Sequence, residues 1–503
     1  MDELPKKVDF VVCGTGLPCS IFAAACARIG KSVLQIDRNT FYGSEWSNFN
    51  MKEAKSWKAS CESSKVISNL KFTPSECWDT FEMFLRTEQY RFNINVDNSP
   101  LFSTGKMTEL LIQSKATRYL SFKNVASLKT VYEDEFMSVP ASRADLFASK
   151  RVTVIEKRKM MNFLTKSLQE EPSEEISTFD QFLERFKLTE KLKSFVKSSI
   201  IFSNTEDLSL YDGLAKLKKF ISSLGKYSAA SAFLYASYGS GELAQAFARM
   251  CAVFGGITVL EYPLKEIFLE DDLVTSLSIS VPESSTPHKV RCDHMIAEVN
   301  YLESYHNNTE EDFHQVIIIL TDDDLKKIIK DEKLALAEDS GPEPDHCIIT
   351  AIVDGHHIWG LALDSSSSTT PKGKSIVTLR CRHKPTLDKF SSKFATDSLW
   401  QMEFTNSKVH LNDLPANVQV SPTVQFDPDY DYAVSWAENL FKKLCPEEEW
   451  LPPMPEPGDI IFPTDEEGEK KPEDPKDAEE SKDSTAKNTE NSSQEESANA
   501  KET

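Results

Sequence analysis

The chain has 503 residues, a net charge of −22, 40% hydrophobic and 27% charged residues, and 30 phenylalanines. That length is ample for a large buried core and for two domains. The acidic balance argues against nucleic acid or an anionic membrane as the main partner, since both would repel it, and suits a partner with basic patches or a basic tail.

The opening MDELPKK runs straight into a strand pattern without a secretory leader, and the ten cysteines show neither a CxxC pair nor metal-ligand spacing. Reduced, largely buried thiols in the cytosol are therefore expected. Residues 8–13, VDFVVC, predict a buried strand and Gly14-Thr15-Gly16 a turn. An alanine-rich helix over 21–29 and a second parallel strand over 31–37 complete a βαβ unit with a right-handed crossover. Residues 43–75 are polar and turn-rich. A helix is predicted over 108–117, and 125–132 alternates into an acidic turn like a hairpin arm. From 142 to 224 the pattern becomes a series of amphipathic helices, over 155–168, 179–185, 190–201 and 212–224, read as a helical insertion. A helix over 242–254 ends at Gly255-Gly256. Strand patterns return at 257–260, 316–320, 348–353 and 375–379, and a last helix covers 434–444. Residues 450–463 are proline-rich and extended. The segment 464–503 carries 14 acidic and 6 basic residues and no Val, Ile, Leu or aromatic residue, so it is expected to be disordered. No apolar run reaches the ~18 residues of a membrane span, and the closing AKET offers no cysteine for lipidation.

The first turn, Gly14-Thr15-Gly16-Leu17-Pro18-Cys19, stands where a dinucleotide fingerprint belongs, and Asp37 holds the ribose-gripping position. The fingerprint is degenerate. Cys19 replaces the third glycine, where a side chain crowds helix against strand, and Pro18 removes an N–H that a pyrophosphate would use. Three readings stay open: a working flavin site, a flavoprotein-like fold that has lost its cofactor, and coincidence in another α/β fold. No GxSxG elbow and no P-loop occurs. His346, His356 and His357 lie near Asp354 without supporting ligand spacing, and with His288 and His383 they read as scaffold, so no metal and no catalytic residue is expected.

Three segments together resemble the family of Rab escort proteins and GDP dissociation inhibitors: DFVVCGTGLPCSIFAAACARIGKSVLQIDRNTFYGSEWSNF (9–49), VPASRADLFASKRVTVIEKRKMMNFL (139–164) and DGLAKLKKFISSLGKYSAASAFLYASYGSGELAQAFARMCAVFGGITVL (212–260). The likeness runs over roughly 8–463 and is less sharp from 265 to 400. The second segment and ENLFKKLCPEEEWLPPMPEPGDIIF (438–462) resemble the escort branch. The resemblance implies an α/β fold with α+β elements: a large multisheet domain like those that bind FAD or NAD(P), with an inserted all-helical domain. It implies no cofactor and no catalysis. It also implies three partners: GDP-bound Rab small GTPases, the Rab geranylgeranyltransferase α/β heterodimer, and the geranylgeranyl lipid on the Rab, with transient membrane contact from the cytosol.

By position Tyr42 resembles the family's Rab-contact tyrosine, and Arg249 with Glu242 its switch-facing pair. The seven-residue spacing of Glu242 and Arg249 puts both on one helix face. A loop anchor and a solvated face are the plain alternatives. Gly239 and Gly241 either admit the partner's backbone or serve the turn. Arg38 either pairs with Asp37 or reaches the partner. Phe163 sits on the helix resembling the transferase-docking one, either as an exposed anchor or as core. Phe195, Ile200, Leu217 and Phe220 either line a lipid cavity or fill a bundle. The domains are therefore expected as 1–138 (first part of domain I), 139–235 (helical domain II), 236–445 (rest of domain I), 446–463 (strap) and 464–503 (acidic tail). The expected function is Rab escort for geranylgeranylation, the alternatives being a pure dissociation inhibitor and a flavin oxidoreductase.

Overall fold

The computed structural model describes residues 4–453 apart from 62–63, 75–77, 126, 141–142, 170–176, 204, 206–207, 229–230 and 330–345. The acidic tail and most of the proline-rich strap lie outside the described residues.

The run KVDFVVC forms the strand Lys7–Cys13, which is flanked by Val33–Ile36 and His288–Ala297, all three parallel. Ile257–Val259 extends the sheet on one side and Val418–Val420 joins it beside His288–Ala297, also in parallel. The antiparallel strands Leu273–Ile279 and Leu264–Glu270 finish a seven-stranded sheet. A parallel sheet is covered on both faces, which is why its strands read as continuous apolar runs. The helix Leu17–Arg28 is buried along its whole length, and its small side chains let it pack between Ser240–Val253 and Asp431–Leu444.

The second sheet has eight strands, in the order Ile67–Pro74, Trp400–Leu411, His306–Thr321, Lys374–Cys381, His356–Leu363, Cys347–Val353, Ser127–Tyr132 and Glu135–Ser138. It is antiparallel except where Cys347–Val353 meets Ser127–Tyr132. Ser127–Tyr132 and Glu135–Ser138 form the hairpin expected from the acidic turn.

Between Ser138 and Phe233 the described residues hold helices: Arg143–Ala148, Val154–Ser167, Phe179–Arg185, Glu190–Phe195 and Leu210–Ser223. Glu190–Phe195 loosens into a wider π-turn over Val196–Ile200. Two of the helices start on capping boxes, Thr153 with Glu156 and Thr178 with Gln181. Each box satisfies two backbone donors that the helix leaves orphaned. Thr153→Ala is expected to cost ~1 kcal/mol in a denaturant titration, because the carboxylate of Glu156 cannot cap alone. The helices share their apolar core with the strand Phe233–Ala236, Phe202 and Phe220 both meeting the ring of Phe233. Lys219 pins the last of them to Asp429 at 2.8 Å and Asp431 at 2.6 Å.

Phe163 is core. Its ring is 0% exposed and packs on Phe182 and Phe186 at 6.1 and 5.2 Å, which corrects the exposed-anchor reading. Phe195, Ile200, Leu217 and Phe220 are buried in the same cluster.

Candidate functional site: an open groove beside a filled nucleotide loop

The helix Ser240–Val253 begins at Gly239, whose φ of +120° only glycine adopts readily. Asn95 supplies the cap, its Oδ1 accepting from Ser240 N–H at 3.1 Å. A Cβ on Gly239 would stand 1.6 Å from that oxygen, and one on Gly241 2.4 Å from Asn48 Oδ1. The close approach these glycines permit is thus to the chain's own asparagines, not to an open surface.

Leu243, Ala244, Phe247 and Cys251 bury the inner face of this helix. The outer face presents Glu242, Gln245 and Arg249, spaced i, i+3 and i+7 on one stripe. With Tyr42, Tyr119 and Thr258 they line an open groove of ≈ 370 Å³. Tyr42 comes from the loop after Val33–Ile36, just before the left-handed turn at Gly43. Tyr119 comes from the short turn Ala116–Tyr119, and its ring lies 4.6 Å from the Arg249 guanidinium carbon. That stacking pre-orients an exposed cation. Burial pushes the Glu242 carboxyl above its ordinary range, against a hydrogen bond from Asn48 that opposes the shift. The groove therefore offers one oriented guanidinium, one partly desolvated acid and two amphipathic rings. These groups suit the polar and charged surface of a protein partner.

Three of the four residues expected to face the partner, Tyr42, Glu242 and Arg249, meet in this groove. Arg38 does not join them. Its N–H donates to Tyr301 Oη at 2.9 Å, and its guanidinium reaches Asn300 O at 3.4 Å and Glu303 at 3.9 Å. Tyr119 and Thr258 were not singled out from the sequence. Gln245 was within reach of it, lying three residues after Glu242 and four before Arg249.

Beside the groove is the degenerate fingerprint. Gly14 has φ +113°, and the Thr15 N–H and hydroxyl both donate to Asp37 Oδ2, at 2.9 and 2.5 Å. The Gly16 N–H donates to Glu298 Oε1 at 2.6 Å. Cys19 is fully buried, yet the helix seats against its strand, so the crowding expected from it is absorbed. The histidines are scaffold. His357 Nε2–H donates to Ser198 O at 2.8 Å, with burial pulling its pKa down to about 4. His346 is buried against Asp364 at 2.8 Å, and the rings of His356 and His383 stack 4.1 Å apart. Among the described residues no three potential ligands gather around a metal position.

Residues 1–327 match the family described as GDP dissociation inhibitor. The chain is 27% identical to the rat protein named Rab proteins geranylgeranyltransferase component A 1, over 94% of this chain and 96% of that one. It is 28% identical to Rab proteins geranylgeranyltransferase component A of Drosophila melanogaster, over 92% of this chain and 93% of the relative. Its fold is similar to the crystal structure of a Rab GDI from Plasmodium falciparum, with TM-score 0.67 and 16% identity, covering 88% of this chain and 99% of that one.

Proposed function

The chain belongs to the GDP dissociation inhibitor family, and on that footing we propose that it is a Rab escort protein, which binds GDP-bound Rab GTPases and presents them to Rab geranylgeranyltransferase. It is an accessory subunit with no chemistry of its own. Relatives named as component A match it over more than nine-tenths of both chains, which favours the escort reading over a pure dissociation inhibitor.

The observation that carries the Rab site is the meeting of Tyr42, Glu242 and Arg249 in one groove, with Tyr119 behind the arginine. Arg249→Ala is expected to weaken binding of a GDP-loaded Rab by ~1–3 kcal/mol and to leave the melting temperature unchanged, as for a lost charge-assisted contact on an exposed surface. Tyr42→Ala should act likewise. Wild-type titration curves for a folded Tyr42→Ala/Arg249→Ala protein would move the platform elsewhere. Geranylgeranylation reconstituted with and without this chain separates escort from simple inhibition.

The transferase is assigned to the helical layer, 139–235, read as domain II, because two large partners bound together need different surfaces. Phe163 is sealed in the core, so the contact falls to the outer stripe of Val154–Ser167. Val154 and Ile155 are 76% and 72% exposed, and Phe147 just before them is 70% exposed. Arg158 and Asn162 continue the stripe. An exposed apolar cluster with a cation at its edge fits a protein interface in an otherwise acidic chain. The lipid is assigned to the same layer. Phe195, Leu217 and Phe220 are packed shut, while Ile200 borders an open cleft of ≈ 270 Å³ with Phe102, Ile201 and Phe202. A prenyl chain entering the core therefore has to part the helices from there, driven by ~0.8 kcal/mol for each CH₂ buried. No helix among the described residues is long and apolar enough to cross a membrane. A cytosolic carrier that touches membranes only on delivery accords with that.

A further inference from the structure

A dinucleotide fold seats its pyrophosphate on the backbone N–H groups that open the first helix, where the second glycine lets it approach. In this chain that seat is taken. Glu298 follows the strand His288–Ala297, and its parallel pairing with Lys7–Cys13 carries the residue to the turn, where Glu298 N–H donates to Cys13 O at 2.9 Å. Its Oε1 accepts from Gly16 N–H at 2.6 Å, while the Ser44 hydroxyl donates to the neighbouring Asp37 Oδ2 at 3.4 Å. The fit leaves no room. A Cβ on Gly14 would stand 2.2 Å from Glu298 Cδ, and a Cβ on Gly16 would stand 2.6 Å from Oε1 and 2.7 Å from the Trp46 ring.

The ribose-gripping acid is spent as well. Asp37 Oδ2 serves Thr15, and Oδ1 accepts from the Asn39 N–H at 2.8 Å and its amide at 2.9 Å. A third buried acid, Glu45, accepts from the Asn300 amide at 2.7 Å. Burial, then Glu45, then Asp37 drive the Glu298 carboxyl well above the usual range, and burial raises Glu45 to about 7. A protonated Glu298 keeps an acceptor oxygen for Gly16 and needs no counter-charge. A pyrophosphate would bring its charge beside three acids, and Arg38 is the one cation among the described residues lining the adjoining pocket. The fingerprint therefore does not fit the cofactor its fold implies.

We propose that Glu298 is an internal substitute for the dinucleotide pyrophosphate: its carboxyl satisfies the phosphate loop, closes the cleft to flavin and nicotinamide nucleotides, and locks the loop beside the groove. The last part follows from Gly43, next to Tyr42, whose N–H donates to the Thr15 hydroxyl at 3.0 Å.

The test uses the full chain as wild type, Glu298→Gln and Glu298→Ala, with thermal unfolding followed against added FAD and against inorganic pyrophosphate. Glutamine keeps an acceptor oxygen, so its midpoint should match wild type, and neither protein should respond to either ligand. Alanine leaves the Gly16 N–H unmet. Its midpoint should fall by several degrees and rise again with pyrophosphate concentration. Bound flavin in the wild type, a glutamine variant as unstable as alanine, or an alanine midpoint that pyrophosphate leaves unmoved would each overturn the assignment. If the alanine protein does not fold, the glutamine arm decides: a wild-type midpoint upholds the acceptor role and a large loss refutes it.

Discussion

Asp97→Ala is expected to destabilise the protein by ~3–5 kcal/mol, because it leaves a buried guanidinium without its counter-charge. Arg380 is 0% exposed and Asp97 2%, and they meet at 2.6 Å. The remaining donors of Arg380 go to Gln315 Oε1 at 2.7 Å and Ser99 Oγ at 3.1 Å, and the guanidinium lies 4.9 Å from the Trp359 ring. Ser99 N–H in turn donates to Tyr430 Oη at 3.2 Å, just ahead of the helix Asp431–Leu444. One cation thus ties two neighbouring strands of the eight-stranded sheet to the 97–99 loop and to the C-terminal helix. Water cannot reach it to compensate for the loss. Replacing both partners by apolar residues of similar volume, Asp97→Leu with Arg380→Met, should recover most of the stability, since the desolvation cost then vanishes with the attraction. Denaturant titrations of the two singles and the double give the coupling energy. A loss below ~1 kcal/mol for Asp97→Ala would mean that the pair is solvated in solution.

That network was invisible in the sequence, because Asp97 and Arg380 are far apart in the chain and neither lies in a motif. The elements that could be read were those with a strong local period. The helix expected over 179–185 is Phe179–Arg185, and that over 155–168 is Val154–Ser167, where Thr153 and Glu156 announce the cap. The helix expected over 190–201 breaks at Phe195 into a π-turn, a change of winding that leaves the apolar pattern untouched. The stretch 43–75 read as turns, yet it contains the helix Met51–Cys61 and the strand Ile67–Pro74. The helix buries a sparse row, Met51, Ala54 and Trp57, beneath a lysine-rich outer face. The strand is a sheet edge, buried on few of its positions. Trp400–Leu411 lies inside the eight-stranded sheet and also went unread, because Thr405, Asn406 and Ser407 are buried polar residues that interrupt its apolar alternation.

For the groove, spacing on one helix was enough to pair Glu242 with Arg249, and the likeness to a family added Tyr42. Tyr119 could not be found that way. It reaches Arg249 from a turn 130 residues earlier, where no period operates. The same limit hid Glu298. The fingerprint shows that a pyrophosphate seat is damaged at Cys19 and Pro18, but the group that fills the seat lies 282 residues away, at the end of another strand. Local sequence carries the shape of a turn, while its contents come from whatever the sheet topology delivers.

Phe163→Ala should cost ~3–5 kcal/mol of stability, the loss expected for emptying a phenylalanine-sized volume from a packed core. The ring is wedged among Phe182 and Phe186, so the cavity cannot collapse without shifting two helices. Rab binding and transferase recruitment should then fall only through the fraction of unfolded protein, and cooling should restore both. The contrasting variant is Ile155→Asp. Ile155 is 72% exposed and stands in the first turn of Val154–Ser167, where a carboxylate favours the helix dipole. Its effect on stability should stay within ~0.5 kcal/mol. Recruitment of the transferase to the Rab-bound chain should drop by more than ~1.4 kcal/mol, a tenfold change, because an apolar contact becomes a buried charge. Rab affinity, which the proposed site places in the groove around Tyr42 and Arg249, should not move. Raising the salt should weaken recruitment in the wild type through Arg158, and should do so less in Arg158→Ala. A Phe163→Ala protein with a wild-type melting temperature and a selective loss of recruitment would place the anchor back on that ring, and unchanged recruitment by Ile155→Asp would take the docking face off this helix altogether.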